Sequence, residues 1–113
     1  LRLSTEKVEE CIAALSSTTV AMVTCTGEAI RIWEILLEYS LTKAKARAKN
    51  DLIFVQSIEK AHASWLAFKR DECQMEYTKY REGTISGPIS AGCKLRFIMN
   101  RVKTYSLMSK DNY

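Results

Sequence analysis

An all-α fold, three long helices preceded by a short N-terminal one, is predicted by three features of this sequence. Only one Pro and four Gly occur in 113 residues, so few positions interrupt a helix. Apolar residues recur at three- and four-residue intervals through long stretches, as they do on one face of a helix. Cysteines flank two short segments, Ser16 to Thr19 and Gly83 to Pro88, so that each segment reads as the turn of a helix hairpin.

The length supports one hydrophobic core, and a single helical domain over 1–113, with its core at about 4–108, is expected. Hydrophobic residues make up 47% and charged residues 27%, the balance of a folded chain rather than a disordered one. No apolar run approaches the ~18 residues of a transmembrane helix, so none is expected. The chain opens on Leu1 rather than Met, which leads us to expect a trimmed or processed form, removal of a signal peptide being one route.

The first helix is predicted to start with Ser4 or Thr5 as its cap and to run to about Leu15, with Val8, Cys11, Ile12 and Leu15 on one face. The Ser/Thr cluster at 16–19 breaks the period and supplies a new cap. A long helix then reaches about Ala46, its period marked by Val23, Ile30, Trp33, Leu37 and Leu41. Gly27 inside it predicts a kink, a local break or a close helix crossing. The stretch 29–41 is apolar apart from Arg31, Glu34, Glu38 and Ser40, broader than one buried stripe requires. That width predicts either a central helix or one covered by a partner, and burial favours the central position.

Lys43, Lys45, Arg47 and Lys49 near the end of this helix complement its macrodipole. Asp51 is placed to cap the third helix. There Phe54, Ile58, Ala61, Trp65 and Phe68 form the core stripe as far as a terminus near Glu82. After the turn at 83–88, with Ser86 as a cap and Pro88 in a first helical turn, a last helix over about 88–108 turns Ala91, Leu95, Ile98, Val102 and Tyr105 inward. Lys94, Arg96, Arg101 and Lys103 are expected on its surface. The predicted core is therefore anchored by Trp33, Trp65, Phe68, Leu95 and Ile98.

Four cysteines in a small chain are compatible with two disulfides and an oxidising compartment; reduced cysteines buried as small hydrophobes are the alternative. Metal binding needs closer ligand spacing, and no CxxC or HxxxH occurs. Counting ~1.5 Å of rise per residue from each side of the 83–87 turn puts Cys73 at ~15 Å and Cys93 at ~9 Å, about one helical turn apart. Cys11 and Cys25 straddle the Ser/Thr turn in the same way. Of the three connectivities, Cys11–Cys25 with Cys73–Cys93 is preferred, each bridge worth ~3 kcal/mol in the chain-entropy model.

No catalytic residue and no cofactor site is predicted. His62 is the only histidine and has no nucleophile or orienting group beside it, so it reads as a boundary residue. Glu72 and Glu76 are i, i+4 neighbours among Lys69, Arg70 and Lys79, a solvated charged face. The glycines at 83 and 87 do not form a phosphate loop. A net charge of +4 without interleaved stacking aromatics argues against nucleic acid.

One pattern points further. Trp65-Leu66-Ala67-Phe68 is followed by Cys73, then by Arg81-Glu82-Gly83-Thr84-Ile85, then by Cys93 and Arg101, with Cys11 and Cys25 upstream. Over about residues 10–107 the chain resembles the LprI-type lysozyme inhibitors, a family of small secreted and lipid-anchored bacterial proteins. His62 stands where that family commonly has Gln, and Lys69 where it has Arg. The resemblance implies an exported, periplasmic or secreted protein-binding module that blocks a peptidoglycan hydrolase such as lysozyme. The 82–88 turn and its flank, with Glu72, Glu76, Glu82, Thr84 and Ile85, are the expected contact residues. Like charge between a +4 protein and a cationic lysozyme would oppose encounter unless such acidic residues cluster. The alternative is a structural, assembly or immunity-type protein, with homodimer formation through the apolar face at 29–41.

Overall fold

The computed structural model describes residues 5–110. Four helices in order make up the described chain: α1 (Thr5–Ala14), α2 (Thr19–Arg47), α3 (Leu52–Lys79) and α4 (Ser86–Lys110). Ser4, proposed above as a cap, lies outside the described residues. Thr18 caps α2, its Oγ1 accepting from the Ala21 amide at 3.0 Å. Between α1 and α2, Ser16 and Ser17 take left-handed φ values of 69° and 52°, so the reversal is made by two non-glycine residues. Asp51 caps α3 by accepting from the Phe54 amide at 3.1 Å.

Helix α3 ends at Lys79, earlier than its periodicity predicts, because the chain tightens through Tyr80. The Gly83 amide donates to the Tyr80 carbonyl at 3.0 Å. Helix α4 correspondingly starts at Ser86, whose hydroxyl donates to the Gly83 carbonyl at 3.2 Å, and Pro88 falls in its first turn. Gly27 produces neither break nor crossing. The helix runs through it, and a Cβ there would meet nothing within 4 Å.

The central element is α4, not α2. Helix α4 packs along α2 and also against α3, whereas α2 and α3 share little direct contact. The reason lies in residue size. Along one face of α2, Ala21, Cys25 and Ala29 follow one another at four-residue steps, with Ser40 and Ala44 further on, all buried. Small side chains let the α4 backbone approach closely, and Leu95, Ile98, Val102 and Tyr105 fill the space beside them. Two clusters result. Val8, Cys25, Ala29 and Leu95 join α1, α2 and α4. Leu37, Leu41, Ala44, Ala48, Ile58, Ile98, Val102 and Tyr105 join α2, α3 and α4.

With α2 at an edge, only part of its apolar run is covered: Ile35 and Tyr39 are 61% and 63% exposed. The outline is flat and long, 50 × 29 × 15 Å, and the 16.1 Å radius of gyration exceeds the ~13 Å of a compact chain of this length.

The predicted α3 stripe is only partly correct. Ile58 is buried and Phe54 and Trp65 are half-buried, but Ala61 and Phe68 are exposed, Phe68 at 56%. Phe68 is therefore a rim residue rather than core; it meets Phe97 edge-on with ring centres 5.5 Å apart. Of the other predicted core residues, Leu95 and Ile98 are buried and Trp33 is half-buried. Helix α3 meets α4 at Ile58, through His62 with Tyr105 and Phe68 with Phe97, and at the Cys73–Cys93 bridge, with shallow grooves beside these contacts.

Candidate functional site

Two places concentrate exposed or half-buried side chains of mixed chemistry. The first is the α3–α4 turn. Cys73 and Cys93 are joined with their Cα atoms 5.6 Å apart, and both are fully buried, so the two helices are clamped just below the turn. Cys11 and Cys25 are also joined, with Cα atoms 5.9 Å apart, and fix α1 to α2 at the same end of the molecule. Both preferred pairings are thus present.

Beyond the clamp, Glu82, Thr84 and Ile85 are exposed on the turn, next to exposed Tyr77 and Tyr80. The predicted carboxylate cluster is not continuous. Glu72 and Glu76 are half-buried, and Glu76 is drawn to Arg96 of α4 at 3.7 Å. What the turn offers is one carboxylate, Glu82, among aromatic and aliphatic side chains. Beside it a groove of about 350 Å³ runs between α2 and α3 over α4, lined among others by Val23, Ile30, Gln74, Tyr77 and Lys94. Gly87 forms part of its floor, where a Cβ would come within 3.5 Å of Val23.

The second place lies between the middle of α3 and α4. Arg101 stacks its guanidinium 4.9 Å from the Tyr105 ring centre and 5.7 Å from that of Trp65. Its Nε donates to the Tyr105 hydroxyl at 3.0 Å, and that hydroxyl lies 2.7 Å from His62 Nδ1. The His62 and Trp65 rings are 5.5 Å apart, and the Lys69 ammonium sits 5.3 Å from the Trp65 ring centre.

Burial holds the His62 pKa below the ordinary histidine value, and the nearby Arg101 charge adds to the effect. Burial likewise lowers Lys69, with Glu34 opposing and Lys94 reinforcing the shift. A groove of about 330 Å³ opens here, lined by Trp65, Arg96, Phe97, Asn100, Arg101 and Thr104.

Sequence reasoning placed Arg101 on the α4 surface and His62 at a boundary, and so missed their shared link through Tyr105. The available signal was the spacing: Arg101 and Tyr105 are i, i+4, and His62 and Trp65 are i, i+3, which puts each pair on one helix face.

Among the described residues no group of three or more His, Cys, Asp or Glu is placed to hold a metal ion, and no helix is long and apolar enough to cross a membrane. No curated protein and no solved structure matches the chain significantly. A family model described as "Lysozyme inhibitor LprI" matches residues 11–104, from the first disulfide cysteine to the last turns of α4. That span includes both disulfides, the turn at 80–85 and the Trp65–Arg101 contact, and the chain belongs to the LprI lysozyme inhibitor family.

Proposed function

We propose that this protein is an exported inhibitor that binds a peptidoglycan hydrolase directly, lysozyme or a related cell-wall enzyme, and blocks its cleft without itself catalysing a reaction. The observation that carries the reading is the family match across the whole disulfide-stapled scaffold. Two disulfides support an oxidising compartment, periplasmic or extracellular.

The α3–α4 turn is the contact surface in this proposal. It is clamped by Cys73–Cys93, so little order has to be gained on binding, and it presents Ile85, Tyr77 and Tyr80 as anchors. With Glu76 drawn to Arg96, recognition rests on these apolar and aromatic groups with Glu82, Thr84 and the half-buried Glu72 at the rim, more than on a broad acidic face. Such a contact tolerates the net charge of +4 better than one built on long-range attraction to a cationic enzyme. Size-exclusion chromatography of the oxidised protein with a muramidase, followed by an activity assay on the complex, tests this. Complex formation with full activity retained would refute the blocking mechanism.

A second reading has one observation in its favour. Ile35 and Tyr39 are exposed on the apolar stretch of α2, a face suited to pairing with a second copy or an assembly partner. A strictly monomeric chain in sedimentation equilibrium at high concentration would remove the homodimer form of this reading.

A further inference from the structure

Arg101 is a positioned cation with no acid to hold. Its Nε is committed to the Tyr105 hydroxyl, and its plane is flanked by two aromatic rings. Tyr105 is 1% exposed, and its hydroxyl is fixed on its other side by His62. The guanidinium is thus oriented before any ligand arrives, and its two terminal nitrogens have neither a carboxylate nor a hydrogen-bond partner among the described residues. An unpaired, pre-oriented guanidinium is a receptor for a planar oxyanion, since its parallel N–H groups match the two oxygens of a carboxylate.

The surroundings restrict the ligand. The groove of about 330 Å³ is at the small end of ligand pockets, suited to one ring-sized molecule rather than an extended chain. Arg96 lines the same groove, its side chain 65% exposed and ion-paired with Glu76 at 3.7 Å, so two guanidinium groups face one concavity. Trp65 and Phe97 supply apolar wall, and exposed Asn100 and Thr104 supply amide and hydroxyl groups at the rim.

We propose that this groove binds a small sugar acid, its carboxylate on Arg101 and Arg96, a ring C–H face against Trp65 and Phe97, and hydroxyls at Asn100 and Thr104. Inorganic phosphate would use the cations and leave the aromatic wall uncovered. An acidic amino-acid side chain would do the same, having no ring face to present. The site is separate from the α3–α4 turn, and its occupancy does not depend on hydrolase binding.

The test is a heteronuclear NMR titration of the oxidised protein with D-glucuronate, D-glucose, L-glutamate and inorganic phosphate at constant ionic strength, following the Trp65 indole N–H and Arg101 Nε–H signals. Glucuronate is expected to shift both saturably at millimolar concentration, with the other three at least tenfold weaker. Arg101→Gln is expected to weaken glucuronate binding at least tenfold. Arg96→Gln, at an exposed side chain, is expected to weaken it several-fold while leaving the rest of the spectrum in place, which guards against a folding defect in the first variant. Absence of a saturable glucuronate response in the wild-type protein would overturn the proposal. Equal binding of phosphate or glutamate would overturn its sugar-acid assignment, and an unchanged affinity in both variants would overturn the site.

Discussion

His62 and Tyr105, 43 residues apart in sequence, meet with Nδ1 and the hydroxyl oxygen 2.7 Å apart, and Arg101 joins them as the third group of a chain that ties α3 to α4. Arg101 Nε can only donate, so the Tyr105 oxygen accepts from it at 3.0 Å. With His62 neutral and its proton on Nε2, Nδ1 accepts the tyrosine proton, which completes a chain of donors from Arg101 through Tyr105 to His62. The lowered pKa of His62, caused by burial and by Arg101, agrees with that assignment.

A pH dependence of stability follows from it. The folded-state pKa of His62 lies below the value of 6.5 for the unfolded chain, so the unfolded state binds more protons between the two values. The contribution is fully present above pH 6.5 and is lost as pH falls through the folded-state pKa. Urea midpoints measured across that range should fall on acidification. In His62→Gln, which cannot titrate, this component of the slope should disappear.

The two disulfides should differ in what their loss exposes. Cys73 and Cys93 are both fully buried and clamp α3 to the central helix, whereas Cys11 is exposed and holds only short α1. The paired substitution Cys73→Ser with Cys93→Ser should cost at least ~3 kcal/mol, the chain-entropy value, plus the cost of burying two hydroxyls. Cys11→Ser with Cys25→Ser should cost less and should raise hydrogen exchange chiefly in α1. Chemical denaturation and amide exchange check both.

Gly27 offers a gain. It lies in the interior of α2 with open space around a prospective Cβ, so Gly27→Ala should stabilise the protein by about 1 kcal/mol through helix propensity alone. A loss of stability in this variant would show that the glycine serves a purpose the helix geometry does not reveal.

At the proposed contact surface, Ile85→Asp should weaken hydrolase inhibition at least tenfold, or ~1.4 kcal/mol. Ile85 is 47% exposed, so the change in folding stability should stay within about 0.5 kcal/mol. Inhibition titrations and thermal unfolding on the same samples separate the two effects.

Most of the fold could be read from local rules. Caps at Thr18 and Asp51, the turn around Gly83 and the pairing of the cysteines across two turns depend on neighbours in sequence, and each appears where expected. Helix order in the bundle did not follow from those rules. The long apolar run of α2 suggested the central place, yet Ala21, Cys25, Ala29 and Ala44 let α4 nestle against α2, and α4 became the element touched on two sides. Phe68 was misassigned for the same reason. A 3.6-residue stripe shows which face of α3 points toward its partner but not how deeply each residue on that face is covered, and Phe68 meets Phe97 at the rim of the α3–α4 seam while staying 56% exposed. The family could be recognised from the Trp65, Cys73, Cys93 and Arg101 pattern. The link among His62, Arg101 and Tyr105 needed the docking of two helices to become visible.

Inhibition of a cell-wall hydrolase by the intact disulfide scaffold is read from lysozyme activity on cell-wall substrate, titrated with the oxidised protein and, in parallel, with its reduced and alkylated form. Saturable inhibition by the oxidised form, lost on reduction, is the predicted result. Undiminished lysozyme activity at saturating concentrations of the oxidised protein would contradict lysozyme as the target, and the same outcome across a panel of muramidases would contradict hydrolase inhibition itself.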